Sequence, residues 1–199
     1  MYTILKSSGG ISLAPLESRL LSARKLFIEG EITASSACAF VKAMMLLTQE
    51  DAEKPIDIYI NSPGGEANAG LLMYDALKGM QTEVNLHCAG LAASMAAIIL
   101  AGGRRGHRHI LRHSRVMIHE PLIASGVGGS AASIQKTAES ILETKRITVE
   151  LLAADTGRSA GEIEEALAAD TCMNAGEAIA FGLCDRIEAS ITGREGSHG

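Results

Sequence analysis

The chain has 199 residues, 47% hydrophobic and 21% charged, with a formal net charge of −5, only 3% aromatics and no tryptophan. This describes one folded domain with an aliphatic core, excludes disorder except at the ends, and lacks the basic footprint that a nucleic-acid partner requires. The four cysteines, Cys38, Cys88, Cys172 and Cys184, show no paired CxxC spacing. No zinc or redox centre is implied, and reduced, mostly buried thiols of a cytoplasmic protein are expected. Residues 1–13 lack the basic segment and apolar run of a secretory signal. The most apolar stretch, 88–103, falls short of the roughly 20 residues that cross a bilayer, so no membrane association is expected.

The predicted elements alternate. A short helix ends near residues 18–21, and Lys25 to Gly30 reads as a strand closed by the glycine. Thr33 or Ser35 can cap a helix reaching about Gln49, with Cys38, Val41, Met44 or Met45, and Leu47 or Thr48 at helical spacing. Residues 56–60 (IDIYI) form a second strand running into a Pro63-Gly64-Gly65 turn, followed by a helix over about 68–78 and a strand over 83–88. Strand, turn and helix recurring in series predict βαβ crossovers and a largely parallel sheet. Beyond Ala101, residues 102–106 look like a hairpin turn and 116–119 a following strand. Residues 130–154 are the longest helical candidate, with Ile134, Ala138, Ile141, Val149 and Leu152 on one stripe; a helix of roughly 37 Å should project beyond one compact body. Two capping boxes, at Ser159/Glu162 and Asn174/Glu177, open short helices, the second ending at Gly182.

The candidate chemistry centres on Ser94, a lone hydroxyl in the small-residue run Gly90-Leu91-Ala92-Ala93-Ser94-Met95-Ala96. A serine is a poor nucleophile unless a base takes its proton and donors receive the developing oxyanion. Its place after a strand and before a helix suits that role, and the glycines after Pro63 allow close backbone approach to a substrate carbonyl. The N–H groups of Gly65 and Met95 are candidate oxyanion donors. The surrounding sequence is not GxSxG, so the nucleophile elbow of an α/β-hydrolase is not supported. Pattern alone does not choose a base among His87, His107, His109, His113 and His119, nor an orienting acid among Asp155, Asp170 and Asp185. Ser94 also has a bland rival reading, as a small residue packed against a helix.

Four segments in register resemble the proteolytic subunit of the Clp protease: Tyr59-Ile60-Asn61-Ser62-Pro63-Gly64-Gly65, Gly90-x-Ala92-Ala93-Ser94-Met95, Ser114-Arg115-Val116-Met117-Ile118-His119-x-Pro121, and Ala178-x-x-x-Gly182-Leu183-x-Asp185. The resemblance covers about residues 18–191. It implies an α/β spiral of βαβ units, of the kind shared with the crotonases, with a long-helix handle over about 130–154. Residues 1–17 would be a pore loop or a flexible segment, 18–192 the protease domain, and 193–199 a disordered tail. It further implies a serine endopeptidase with Ser94 as nucleophile, His119 as base and Asp170 as orienting acid. Gly65 and Met95 would form the oxyanion hole, and Gly64, Leu122 and Ile123 would bind substrate, without a metal or cofactor. Seven-membered rings stacked in pairs, an AAA+ unfoldase and unfolded polypeptide substrates complete the expectation.

The chain also departs from the family pattern. The segment between Pro121 and Ile134 is about two residues longer than usual, and Ala168 and Ala169 stand where many members carry ring-bridging charges, so weaker ring stacking is expected. Of the two strand aromatics that line the family's unfoldase pocket, Tyr59 matches one but Asp57 replaces the other, which predicts poor docking. Glu120 follows the histidine where an amide is common, with a small effect expected because strand side chains alternate. Arginines 104, 105, 108, 112 and 115, with three histidines, read as a solvated hairpin rather than a nucleic-acid patch. A serine–lysine protease would need a lysine base, and none lies between Lys78 and Lys136. The competing function is a catalytically weak ring subunit that regulates or scaffolds an active partner.

Overall fold

The computed structural model describes residues 1–7, 10–122 and 128–191. The chain begins with an antiparallel pair, β1 (Tyr2–Ser7) and β2 (Gly10–Pro15), that the sequence pattern did not signal, followed by helix α1 (Leu16–Ser22). The central sheet is built from β3 (Lys25–Ile32), β4 (Ile56–Gly65), β5 (Val84–Ala93), β6 (Arg108–Leu111) and β9 (Arg186–Glu188), all parallel, in that spatial order. Strand β7 (Arg115–Ile118) pairs with the far end of β5, and β8 (Thr171–Asn174) pairs antiparallel with β7. Helices α2 (Ala34–Glu50) and α3 (Ala67–Gly79) are the crossovers of the first two βαβ units, as the alternating pattern predicts.

The α2 capping box joins Thr33 to Ser36, which settles the cap on Thr33. Its inward face is Ala37, Phe40, Met44 and Leu47, spaced by three, four and three residues, and Cys38 is exposed. The expectation of mostly buried thiols therefore holds for Cys88 and Cys184 but fails for Cys38 and Cys172. Helix α4 (Met95–Ala101) is buried all round, so the apolar stretch 88–103 is the end of a strand followed by a core helix; among the described residues no helix is long and apolar enough to cross a membrane.

Three strand expectations need correction. Strand β3 does not close at Gly30; that residue (φ 65°) makes a bulge between Glu29 and Glu31, after which pairing with β4 resumes. The Pro63-Gly64-Gly65 segment is extended strand rather than a turn, because Gly64 and Gly65 pair with Glu31 and Ile32. The solvated hairpin at 104–115 does not form. Strands β6 and β7 both run parallel to β5 and do not pair with each other, and Arg108, His109 and Ser114 are buried. Arg108 is drawn inside because it forks onto Asp185 (2.6 and 3.0 Å) and donates to the carbonyls of Ala101, Asp155 and Gly182, satisfying a buried charge.

Helix α5 (Ala131–Thr156) runs 26 residues, capped by Ser130 and ended by left-handed Gly157. Its buried residues are Thr148, Val149 and Leu152, while Ile134 and Leu142 are exposed, so its first turns project as expected. Helices α6 (Ala160–Ala168) and α7 (Ala175–Phe181) start at the two predicted capping boxes, and α7 ends at left-handed Gly182.

Candidate functional site

The site is made where β4, β5 and β7 end together. Strand β5 changes partner along its length: Leu86 to Cys88 pair with β6, and Leu91 to Ala93 pair with β7. Gly90 (φ 126°) sits at the change. Its N–H donates to the Ser114 hydroxyl (2.8 Å), and the next N–H, of Leu91, donates to Asn61 Oδ1 (3.2 Å). A side chain at Gly90 would meet that amide oxygen at 2.5 Å, so this bend needs glycine.

Ser94 occupies the single step between β5 and α4. Its φ of 54° is uncommon for a residue with a side chain and costs of order 1–3 kcal/mol. The backbone holds it there: the Ser94 N–H donates to the Met117 carbonyl (2.9 Å), and the Ser94 carbonyl accepts from the N–H groups of Ala97 and Ile98. A serine at a helix start ordinarily turns its hydroxyl onto the helix, yet Ser94 makes no capping hydrogen bond.

Gly64 and Gly65 run against this step. A Cβ on Gly64 would lie 2.8 Å from Ser94 Cβ and 3.0 Å from the Met95 nitrogen, and one on Gly65 would lie 2.1 Å from the Ile32 carbonyl oxygen. Only bare backbone fits between β3 and the serine. Ser62 fixes the segment by donating to the Gly30 carbonyl (2.5 Å) and accepting from the Gly64 N–H (3.1 Å). Met95 is buried with its side chain packed over Gly70.

Ser94, Gly65, Met95, His119 and Leu122 line one cavity of about 350 Å³, with Ile98, Ile118, Leu152 and Leu167 as apolar wall. His119 follows the last residue of β7. None of the rival histidines lines this cavity: His87 contacts Asp57 and Glu188, His107 contacts Asn85, His109 accepts from Arg186, and His113 lies in the turn before β7. Asp170 lies outside the cavity lining, exposed, in a left-handed turn (φ 48°) between α6 and β8. The β7–β8 register pairs Ile118 with Thr171, so one further step sets residue 119 opposite residue 170. The rival acids have other partners: Asp155 accepts from Tyr74 and Lys78, and Asp185 holds Arg108. Among the described residues no hydrogen bond within 3.5 Å joins Ser94 to His119 or His119 to Asp170. Gly64 lies beside the cavity, and Ile123 falls outside the described residues.

Sequence reasoning missed four polar residues of the cavity, Glu31, Glu66, Thr144 and Thr148. The threonines stand four apart on α5, a spacing visible in the sequence once the helix is known to return over the site. Glu120 forms an ion pair with Lys145 of α5, which engages its carboxylate. That contact raises the pKa of Lys145, the reverse of what a lysine base would need. Asp57, set at the expected docking surface, pairs with His87 and Lys25. His87 ahead of Asn85 and Lys25 holds its carboxyl below the usual range, against the opposing effect of burial.

Comparison with known proteins defines the class. The family model described as Clp protease matches residues 8–190. The "ATP-dependent Clp protease proteolytic subunit 2" of Chlamydia trachomatis serovar D is 41% identical over 189 residues, covering 95% of this chain and 92% of the relative. The protein of the same description from Chlamydia pneumoniae is 40% identical over the same shares. These matches mark a serine-type endopeptidase on an α/β spiral. The chain belongs to the Clp protease family.

Proposed function

We propose that Ser94 is the nucleophile of a peptidase acting on unfolded polypeptides. Its oxygen attacks the scissile carbonyl carbon as its proton passes to His119, and the N–H groups of Gly65 and Met95 receive the oxyanion. His119 then gives the proton to the departing amine, and water releases the acyl chain by the same route in reverse. Asp170 orients the imidazole and stabilises its charged form. Gly64, Leu122 and Ile123 hold the extended peptide, by backbone hydrogen bonds tolerant of sequence. The observation that carries this reading is the uncapped serine at positive φ, sharing a cavity with a single histidine among the described residues.

The further expectations belong to the same proposal. Residues 18–192 act as the protease domain in the cytoplasm, assembling into seven-membered rings, with residues 1–17 near the pore. An AAA+ unfoldase feeds the rings, a role supported by the words "ATP-dependent" in the relatives' names. Asp57 weakens docking of a generic Clp unfoldase, and Ala168 and Ala169, both exposed, weaken stacking between rings. Sedimentation showing only salt-stable double rings would refute the last point.

The reading of a silent, scaffolding subunit draws on the unmade hydrogen bonds around His119. Fluorophosphonate labelling separates the two. The wild-type protein is expected to be labelled and to cleave peptides, with Ser94→Ala losing labelling and about 10⁵-fold or more of the rate. An unlabelled, correctly folded wild-type protein, alone and with an unfoldase, would establish the scaffold.

A further inference from the structure

Two carboxylates bracket the strand ends that carry the proposed oxyanion donor. Glu31 lies beside Gly64 in the β3–β4 register, and Glu66 follows Gly65, with its N–H donating to the Ile32 carbonyl (2.9 Å). Both line the cavity that holds Ser94, and both are exposed. Among the described residues no lysine or arginine lines that cavity, and neither Glu31 nor Glu66 forms an ion pair with a cation. By contrast Asp51, Asp57, Glu120, Asp155, Asp185 and Glu188 all have cationic or imidazole partners. The cavity therefore joins an apolar wall of Met95, Ile98 and Ile118 to a mouth with two uncompensated negative charges.

Resting on the peptidase reading, we propose that this cavity selects a lysine or arginine side chain next to the scissile bond. The aliphatic stem of such a side chain lies along the apolar wall while its cationic head stays at the wet mouth, between Glu31 and Glu66. A neutral apolar side chain gains the wall but leaves the carboxylates unpaired. A carboxylate side chain meets like charge.

The same arrangement predicts where the selectivity appears in the kinetics. Negative charge beside Gly65 opposes the oxyanion that forms there, so the two carboxylates raise the barrier for a neutral substrate. A cation bound between them cancels that field as the oxyanion develops. Discrimination then falls partly in kcat and not only in KM, because the compensation is worth more in the transition state than in the ground state.

The test compares two fluorogenic peptides that differ only in lysine or acetyl-lysine before the scissile bond, using the assembled wild-type protein. A kcat/KM ratio of about fivefold in favour of lysine is expected, the size appropriate to exposed charges. The ratio should fall towards one in Glu31→Gln/Glu66→Gln, and also in wild type near 1 M salt, where the screening length shrinks to about 3 Å. The salt series needs no variant, so it decides the matter even if the double substitution fails to fold. Labelling and cleavage with a ratio of one or less, or a ratio unmoved by both salt and substitution, would overturn the selectivity and leave the peptidase standing. Absence of labelling and of all cleavage would remove both.

Discussion

The two faces of the central sheet are built from alternate residues of the same strands but are held by different means. On one face Leu26, Ile28, Ile58, Ile60, Leu86, Cys88 and Ile110 join the helices in a single aliphatic core, which also admits the charge of Arg108. On the other, four rings form a ladder across β3, β4, β5 and β6: Phe27 to Tyr59 at 5.2 Å, Tyr59 to His87 at 4.8 Å, and His87 to His109 at 5.0 Å. Lys25, Asp57, Arg186 and Glu188 surround them, and the Tyr59 hydroxyl donates to the Ile191 carbonyl (3.3 Å). One face is specified by volume. The other is specified by partners, and it answers to pH and salt where the first does not.

The severest break in this contrast should come from Arg108→Ala, which leaves Asp185 without its fork and three carbonyls without a donor. A loss of about 3–5 kcal/mol is expected in urea unfolding. Adjacent residues of β4 give the next comparison. Ile58→Ala, on the core face, should cost about 2–5 kcal/mol, whereas Tyr59→Leu, which keeps bulk but loses the stack and the hydroxyl, should cost about 1–2 kcal/mol. Equal losses would abolish the distinction between the faces.

The smallest effects are pH-dependent and confined to the ladder. Burial pushes the pKa of His109 down to about 4, aided by the cations Arg186 and His87 against the pull of Glu188. The Arg186 Nε–H donates to His109 Nδ1 (2.7 Å), which fixes the neutral ring. A base whose folded pKa is depressed loses stability as the pH falls from its unfolded value, near 6.5, towards 4. For His87, burial opposes the charge, but Asp57 and Glu188 outweigh it and the pKa is raised. Its contribution is therefore complete below about pH 6.5 and lost as the pH rises through the folded value. His109→Asn should flatten the decline in urea midpoints between about pH 6.5 and 4, and His87→Gln should remove the gain in midpoint that accompanies acidification to about pH 6.5. Parallel profiles for both variants would show that the ladder carries no titrating contribution.

Much of this was legible in the sequence because local chemistry decided it. Capping boxes at Ser159 and Asn174 announced two helix starts, and the β-branched run at 56–60 announced a central strand. The failures share a cause, since each concerned a choice made by a distant partner. Pro63-Gly64-Gly65 reads as a turn until Ile32 pairs with it, and the run 104–115 reads as a solvated hairpin until Asp185 takes Arg108 inside. Strand β8 carries no alternation over its four residues and exists through its pairing with β7. At the site, Ser94 and the glycines were readable from their motifs and Glu66 follows directly on them, while Glu31 reaches the cavity only through the register of β3 on β4.

Because Ser94 is the only residue between β5 and α4, its position has no slack. Its backbone cannot shift without unzipping a buried strand or displacing a helix that is buried on every side. The imidazole across the cleft is differently mounted, on the first residue past a four-residue strand, followed by Glu120, which is paired with Lys145, then a proline and a leucine that is 73% exposed. Under the proposed mechanism the fold thus clamps the alcohol from both flanks and suspends its partner base from the tip of a short strand.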